Sequence, residues 1–249
     1  MNRIPCIVGN WKMYKTALEA RAFIAALVNE ISAAERRVIL SVPFTAIEAA
    51  VDAARGSKIA IGAQNMHDQI EGAFTGEISA RMLKASGVDF VLLGHSERRQ
   101  YFAETNSFIY HKLMRALHEG LTPILCIGEL LQERESGDQT RVLKLQLEEC
   151  LKGVQQSHAS SIVIAYEPVW AIGTGKTATP EIAQAVHRFI RQWLEERFGR
   201  EASERICLLY GGSVKPDNIA ALMQQTDIDG VLVGGASLDV KLFAKIVNG

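Results

Sequence analysis

The sequence predicts an α/β protein that folds as a single (β/α)8 barrel, a closed ring of eight parallel strands alternating with helices. Eight short apolar runs recur along the chain, amphipathic helical patterns separate them, and the length of 249 residues is typical of one such barrel. The runs do not alternate apolar with polar residues, which is typical of parallel strands that are covered on both faces. The predicted catalytic domain spans residues 1–249.

The apolar runs locate the eight predicted strands in order. They lie at residues 5–10, 37–42, 59–64, 89–95, 123–128, 161–167, 205–212 and 229–235. No linker or low-complexity segment interrupts the series, so the sequence does not indicate a second domain.

Helical patterns fill the intervals between the strands. The clearest lie at 16–32, 107–120, 140–154, 180–199, 215–225 and 237–248. Pro180 stands at an expected first helical position, and Gly120 and Gly199 stand where a helix would end. A doubly wound open sheet is the alternative fold. The first strand–helix turn lacks G-x-G-x-x-G, which counts against its dinucleotide-binding version.

Composition excludes several classes of function. The formal net charge is −1, so no overall field favours nucleic acid or an anionic membrane, and Arg98-Arg99 is expected to form ion pairs or solvated surface. The N-terminal apolar run is too short for a signal peptide, and no run approaches the roughly 18 apolar residues of a membrane span. These features predict a cytoplasmic protein.

The cysteines show neither CxxC nor any paired spacing, so no disulfide framework or zinc site is expected. Three of them lie in apolar runs, where burial is expected. The four are Cys6, Cys126, Cys150 and Cys207.

Polar and glycine residues follow the strands at their carboxyl ends. In a parallel barrel these ends share one face, where active sites are assembled from the loops. That face collects a lysine, a histidine, several carboxylates and three glycine-rich turns, whereas the opposite strand ends show no such set. The residues are Asn10, Trp11, Lys12, Pro43, Phe44, Gln64, Asn65, His67, His95, Ser96, Glu97, Arg98, Glu129, Glu167, Gly211, Gly212, Ser213, Gly234 and Gly235.

The segment AYEPVWAIGTGKT (165–177) ends like a nucleotide-binding P-loop. A Walker A loop would need glycine where Trp170 stands, and Pro168 and Pro180 break the direct passage from strand to helix. Stiff ends and a glycine-containing centre predict instead a lid over the site. Its glycine amides, with those after the last two strands, suit a phosphate that serves as a handle for the ligand. The predicted lid is Pro168, Val169, Trp170, Ala171, Ile172, Gly173, Thr174, Gly175, Lys176 and Thr177.

Several segments, in matching order and spacing, resemble the triosephosphate isomerase family. They are GNWKMYKT (9–16), AQN (63–65), GAFTGEISA (72–80), GHSERRQYFAET (94–105), CIGE (126–129), AYEPVWAIGTGKTAT (165–179), YGGSV (210–214) and GVLVGGASL (230–238). The resemblance implies the TIM-barrel form of the fold and interconversion of D-glyceraldehyde 3-phosphate and dihydroxyacetone phosphate through an enediol(ate). It also implies a role in glycolysis and gluconeogenesis, with no metal and no organic cofactor.

Moving a proton between adjacent carbons needs a base, a polarising group at the carbonyl and fixed positive charge. Glu167, at a strand end directly before the lid, is the expected base, and His95 is the expected electrophile. Lys12 follows the first strand and is expected to supply the charge. The resemblance implies that His95 acts as a neutral imidazole, that Glu97 holds Lys12, and that Asn10 binds substrate oxygens.

The expected substrate-binding set is Asn10, Lys12, Gly173, Ser213, Gly234 and Gly235. The remaining histidines lack metal-ligand spacing and are expected on the surface or on helix faces. They are His67, His111, His118, His158 and His187.

Members of the family are generally homodimers, and the long loop at 65–79 is the expected contact. By resemblance, Thr75 reaches the partner's site and supports Asn10 and Lys12. Tyr14 departs from the family pattern, which has a small or amide residue at this position, and is expected at the same contact. Two other functions stay open: a different phosphate-binding barrel enzyme, and a non-catalytic phosphometabolite-binding or adhesion protein.

Overall fold

The computed structural model describes residues 3–31, 36–171 and 178–249. Eight parallel strands close into a barrel in chain order, which confirms the predicted fold class. The strands are β1 Cys6–Asn10, β2 Arg37–Val42, β3 Ile59–Ala63, β4 Phe90–Leu93, β5 Thr122–Ile127, β6 Val163–Tyr166, β7 Cys207–Tyr210 and β8 Gly230–Val233.

Pairing of β8 with β1 closes the ring, and Gly230 lies opposite Cys6 in that register. A Cβ atom on Gly230 would lie 1.9 Å from the Cys6 carbonyl oxygen. Only glycine permits this approach of the two backbones. Each apolar run corresponds to one strand, with β5 beginning one residue before its run at Thr122. Most strands are shorter than the runs because pairing stops before the turn residues.

Helices cover the outside of the barrel. They are α1 Ala17–Glu30, α2 Ile47–Ala54, α3 Ala80–Ala85, α4 Ser96–Tyr101, α5 Asn106–His118, α6 Leu131–Glu135, α7 Gln139–Leu151, α8 Gln156–Ala159, α9 Pro180–Phe198, α10 Arg200–Ser203, α11 Ile219–Met223 and α12 Val240–Asn248. Short 3-10 turns lie at Phe44–Ala46, Val169–Ala171 and Gly235–Leu238.

Side-chain caps explain where the longer helices begin. Thr16 and Glu19 form a capping box at α1, and Thr179 caps α9 with Pro180 in its first turn, as expected. Gly120 and Gly199 follow helix ends with φ of +72° and +82°, the left-handed backbone that glycine tolerates.

Two predicted helices begin later than expected. At 215–225 the helix is limited to Ile219–Met223. There the Asn218 side chain accepts from the Lys215 backbone N–H at 2.9 Å and donates to the Ser213 carbonyl at 3.0 Å, so the preceding residues form a turn. At 237–248 a 3-10 turn ends at Leu238, and the α-helix starts at Val240.

The interior of the barrel is filled by one apolar cluster, and a larger cluster lies between the strands and the helices. Cys6 and Cys126 are buried in the inner cluster. The expectation for Cys207 was wrong in part: it packs against that cluster but keeps partial exposure, because it starts β7 at the barrel's amino-terminal end. Cys150 is buried on α7. Within the described ranges, no helix is both long and apolar enough to cross a membrane.

A buried ion-pair network lies near the amino-terminal strand ends. Arg191 donates to the Asp229 carboxylate at 2.5 Å and to the Ile206 carbonyl at 2.7 Å. Asp229 also accepts from the Leu208 N–H at 2.8 Å and from the Arg3 side chain. Charge pairs and hydrogen bonds to backbone groups therefore hold this end of the barrel, although Arg191 Nε makes no hydrogen bond among the described residues.

The histidines outside the site do not share one environment. His111, His118 and His158 are exposed, and His67 is partly buried with its ring 4.4 Å from that of Phe74. His187 lies on a helix face, as expected, but that face of α9 is fully buried. Its Nδ1 lies 3.1 Å from the Asp227 carbonyl oxygen, and burial lowers the pKa of His187 to about 4.

Candidate active site

A cavity of about 700 Å³ opens at the carboxyl ends of the strands. Nine of the nineteen strand-end residues that the sequence singled out line it. Its lining includes Asn10, Lys12, His95, Glu167, Gly211, Gly212, Ser213, Gly234 and Gly235. Lys215 and Lys245 also line it and were not anticipated, because neither directly follows a strand.

Glu167 follows β6 and lies at the wall of this cavity with only 2% of its surface exposed. Its Oε2 accepts the Ser96 backbone N–H at 3.0 Å, and its Oε1 accepts the Ser96 hydroxyl at 3.2 Å. His95 Nε2 lies 3.1 Å from the same Oε1. The carboxylate is thus buried and held in place by the two Ser96 hydrogen bonds and the His95 contact.

His95 caps the start of α4. Its Nδ1 accepts the Glu97 backbone N–H at 3.3 Å, so Nδ1 carries no proton. The proton of a neutral ring then sits on Nε2, the nitrogen that faces Glu167. This contact therefore leaves the Nε2–H of the ring as the donor that faces the cavity.

Lys12 has a left-handed backbone, with φ of +52°. Its ammonium contacts Glu97 Oε1 at 2.6 Å, and its N–H donates to Asn10 Oδ1 at 3.0 Å. Its carbonyl oxygen accepts from Gln64 Nε2 at 2.9 Å. Asn10 itself is buried at the end of β1. Both ends of Lys12 are thereby fixed beside the cavity.

Glycine-rich turns form another part of the cavity lining. A Cβ atom on Gly211 would lie 3.0 Å from Glu167 Cγ, and one on Gly212 would lie 2.2 Å from the Tyr210 hydroxyl. Around Gly235 a Cβ atom would meet no heavy atom within 4 Å, so open space lies beside that backbone. The turns bring backbone N–H groups near the cavity without side chains in between.

The start of the predicted lid is anchored to Glu129. The Trp170 indole donates to Glu129 Oε1 at 2.8 Å, and the Tyr166 hydroxyl donates to the same atom at 3.0 Å. Arg134 Nη1 lies 3.1 Å from it. Burial and the Glu129 carboxylate raise the pKa of Tyr166, so this phenol stays a donor. Ile172, Gly173, Thr174, Gly175, Lys176 and Thr177 lie outside the described residues.

Arg98 and Arg99 behave differently from each other. Arg98 pairs with Glu104 at 2.7 Å, as expected. Arg99 is neither an ion-paired nor a solvated surface residue, because it donates to the Gly94 carbonyl at 2.7 Å and the Cys126 carbonyl at 3.0 Å. It ties the turn before His95 to β5. Sequence reasoning missed this role, since only the closed barrel brings β4 and β5 together.

The two expected dimer-contact residues lie on the surface. Tyr14 is 58% exposed, and Thr75 is exposed in the loop between β3 and α3. Other large apolar side chains are exposed as well: Met13, Phe74, Met82, Tyr101 and Phe102.

Comparison with known proteins gives one consistent result. A sequence model of the triosephosphate isomerase family matches residues 5–249. The chain is 55% identical over 249 residues to the triosephosphate isomerase of Solibacter usitatus, covering 99% of both chains. It is 52% identical over 250 residues to that of Carboxydothermus hydrogenoformans, again covering 99% of both. It is 50% identical over 242 residues to that of Protochlamydia amoebophila, covering 97% of this chain and 92% of the relative. The chain therefore belongs to the triosephosphate isomerase family and is an isomerase.

Proposed function

We propose that the protein interconverts D-glyceraldehyde 3-phosphate and dihydroxyacetone phosphate within glycolysis and gluconeogenesis. The observation that carries this proposal is the convergence of Glu167, His95 and Lys12 on one cavity, which glycine-rich turns suited to phosphate also line. Isomerisation of a phosphorylated aldose to a ketose needs these groups together, and the family to which the chain belongs carries out this reaction.

Glu167 is the proposed base. Its carboxylate takes the proton from the carbon next to the carbonyl, and the C–H electron pair becomes the C=C bond of the enediolate. The carbonyl oxygen takes up the negative charge, and a proton passes from the neighbouring hydroxyl to this oxygen. Glu167 then returns its proton to the adjacent carbon, while the oxygen that lost its proton becomes the new carbonyl. The Ser96 and His95 contacts keep Glu167 ordered at the cavity wall between turnovers.

His95 and Lys12 stabilise the charge that develops on oxygen. The His95 Nε2–H is the proposed donor to both substrate oxygens, because its other nitrogen is occupied by the Glu97 N–H. Lys12 adds fixed positive charge, and its pairing with Glu97 keeps the ammonium in place. Preorganised groups of this kind reduce the barrier without reorganising during the reaction.

The phosphate is the proposed handle that orients the substrate. The proposed phosphate-binding residues are Ser213, Gly234 and Gly235, which line the cavity, together with Gly173 of the lid. Asn10 is the proposed donor to the other substrate oxygens. A lid over residues 168–177 would exclude water from the enediolate and limit loss of its phosphate. No metal or organic cofactor takes part in the proposed reaction.

A coupled turnover assay tests the assignment directly. The wild-type protein is expected to interconvert the two triose phosphates, and Glu167→Gln is expected to lose about 10³-fold or more in kcat, because the amide cannot accept the proton. Glu196→Gln, which removes an exposed carboxylate on α9, is the matched control and keeps wild-type kcat. Wild-type protein without turnover, or a fully active Glu167→Gln variant, would overturn the proposal. The first outcome would favour another phosphate-binding enzyme or a binding protein.

We also propose a single catalytic domain over residues 1–249, a cytoplasmic location and a homodimer. The exposed apolar residues around Tyr14 and Thr75 support the dimer, since such a surface favours association. Light scattering on the purified protein should give twice the chain mass. Thr75→Arg should shift the mass toward the monomer and lower kcat/KM, whereas a monomeric wild-type protein would exclude the dimer.

A further inference from the structure

We propose that Gln64 is a positioning residue that holds Lys12 in its catalytic place. This inference rests on the proposed function, in which Lys12 supplies the fixed positive charge of the site. Gln64 follows β3 and is partly buried. Its Nε2 lies 2.9 Å from the Lys12 carbonyl oxygen and 3.0 Å from the Ser41 carbonyl oxygen.

Lys12 needs such a restraint because its backbone is strained. A non-glycine residue at φ of +52° crowds its own Cβ against the main chain, so the conformation persists only where the surroundings impose it. The Asn10 side chain holds the N–H of Lys12. Gln64 holds the carbonyl on the other side of the same residue.

The carboxamide suits this position for a specific reason. Both neighbours of Nε2 are carbonyl oxygens, which can only accept, so the NH2 end of Gln64 must face them. The two hydrogens of one nitrogen therefore serve two backbone acceptors. Ser41 O also accepts the Trp11 N–H at 3.1 Å, so the two hydrogen bonds from Gln64 Nε2 join the ends of three adjacent strands.

Loss of the two Gln64 hydrogen bonds would affect the Lys12 ammonium through the backbone of Lys12. With its carbonyl released, the Lys12 peptide can rotate toward the commoner negative φ. That rotation redirects the side chain away from Glu97 and the cavity. The expected consequence is a weaker hold on both phosphate and oxyanion, with Glu167 and His95 left in place.

The first test compares Gln64→Met with the wild type. Methionine has a similar length but no donor, so kcat/KM should fall by about tenfold or more, as expected when a charge that stabilises the transition state is displaced. Gln184→Met is the matched control. Gln184 is a buried carboxamide that exchanges two hydrogen bonds with Asp227 at 2.6 and 3.0 Å, and it does not line the cavity. The control should lose stability, because two hydrogen bonds are removed, but keep wild-type kinetics.

The second test asks whether Gln64 acts through Lys12. In a double-mutant cycle, Gln64→Met should have no further effect once Lys12→Met is present. The affinity for inorganic phosphate, measured by calorimetry, gives a readout that does not depend on turnover and should follow the same pattern. Additive losses in both measurements would show that Gln64 acts elsewhere.

The third test uses pH. In Gln64→Glu a carboxylate would face two carbonyl oxygens and repel them, whereas the protonated acid can donate to one of them. The ratio of variant to wild-type kcat/KM should therefore rise as the pH is lowered. A ratio that stays flat with pH contradicts the donor role.

These outcomes separate the two proposals. A wild type without isomerase activity overturns the proposed function. An active wild type whose Gln64→Met variant keeps full kcat/KM overturns only the positioning role. Oligomeric mass and melting temperature are measured for every variant, so that a loss through dissociation or unfolding is identified as a contradiction of positioning rather than counted in its favour.

Discussion

Gly128 lies where β5 meets the end of β6, and its replacement offers a sharp test of how the base is placed. A Cβ atom there would lie 1.8 Å from the Glu167 carbonyl oxygen, whereas ordinary contact begins at 3.4 Å. Neither partner is the flexible end of a side chain. The Gly128 N–H donates to Gln146 Oε1 at 2.8 Å, and Gln146 Nε2 donates to the Gly128 carbonyl at 3.0 Å. The Glu167 N–H donates to the Ile127 carbonyl at 2.7 Å.

Gly128→Ala must therefore move the backbone of Glu167. The difference between the two distances is about 1.6 Å, and a misplacement of about 1 Å at a reacting group can cost 10²-fold in rate. We expect kcat to fall by about 10²-fold or more. We expect KM to change by less than about threefold, because the proposed phosphate-binding residues Ser213, Gly234 and Gly235 do not contact Gly128.

Steady-state kinetics in both directions, with circular dichroism to confirm folding, provide the assay. Gly137→Ala is the control: Gly137 has φ of +80° and no neighbour within 4 Å of a Cβ atom, so alanine adds backbone strain without touching the site. A folded Gly128→Ala protein with kcat near that of the wild type would refute the reasoning, as would a change confined to KM.

Two further predictions concern stability. Arg191→Met leaves the buried Asp229 carboxylate without its Arg191 donor. The free energy of unfolding should fall by about 3–5 kcal/mol, and the melting temperature in calorimetry should fall by roughly 10 °C. An unchanged melting temperature would contradict this. His187 has a folded pKa of about 4 against 6.5 for the exposed side chain. The stability that the neutral side chain contributes is complete above pH 6.5 and is lost as the pH falls toward 4. Over that range the unfolded chain binds a proton that the folded chain excludes. Urea unfolding at pH 7 and pH 4 should show the wild type losing about 3 kcal/mol more than His187→Asn, and equal losses would rule out His187 as the source.

The strands were predictable because their apolar runs are continuous, and the caps at Pro180, Gly120 and Gly199 carried local signals. The short helices α2, α3 and α4 were not predicted, because fewer than about two turns give little periodicity. The late start of the 215–225 helix depends on Asn218 bonding its neighbours, a local competition that residue type alone does not decide.

For the site, the positions of Lys12, His95 and Glu167 directly after strands predicted that they would lie together, because the carboxyl ends of parallel strands share one face. Those positions did not reveal which groups hold these side chains. Glu129 accepts from Tyr166, Trp170 and Arg134, and Arg99 joins two strand ends. These contacts join residues on and after β4, β5 and β6, so their distances depend on strand register and tilt in the closed ring.

Closure of the ring also bears on how the chain folds. β1 must pair with β8, so residues near the start of the chain wait for partners more than two hundred positions away. Contacts of such long sequence separation form late and slow the folding of the whole chain, since loop entropy is lost before they can stabilise it. During synthesis β1 therefore exposes one unpaired edge until Gly230–Val233 has been made. This edge is a site for mispairing between nascent chains, and closure of the barrel removes it.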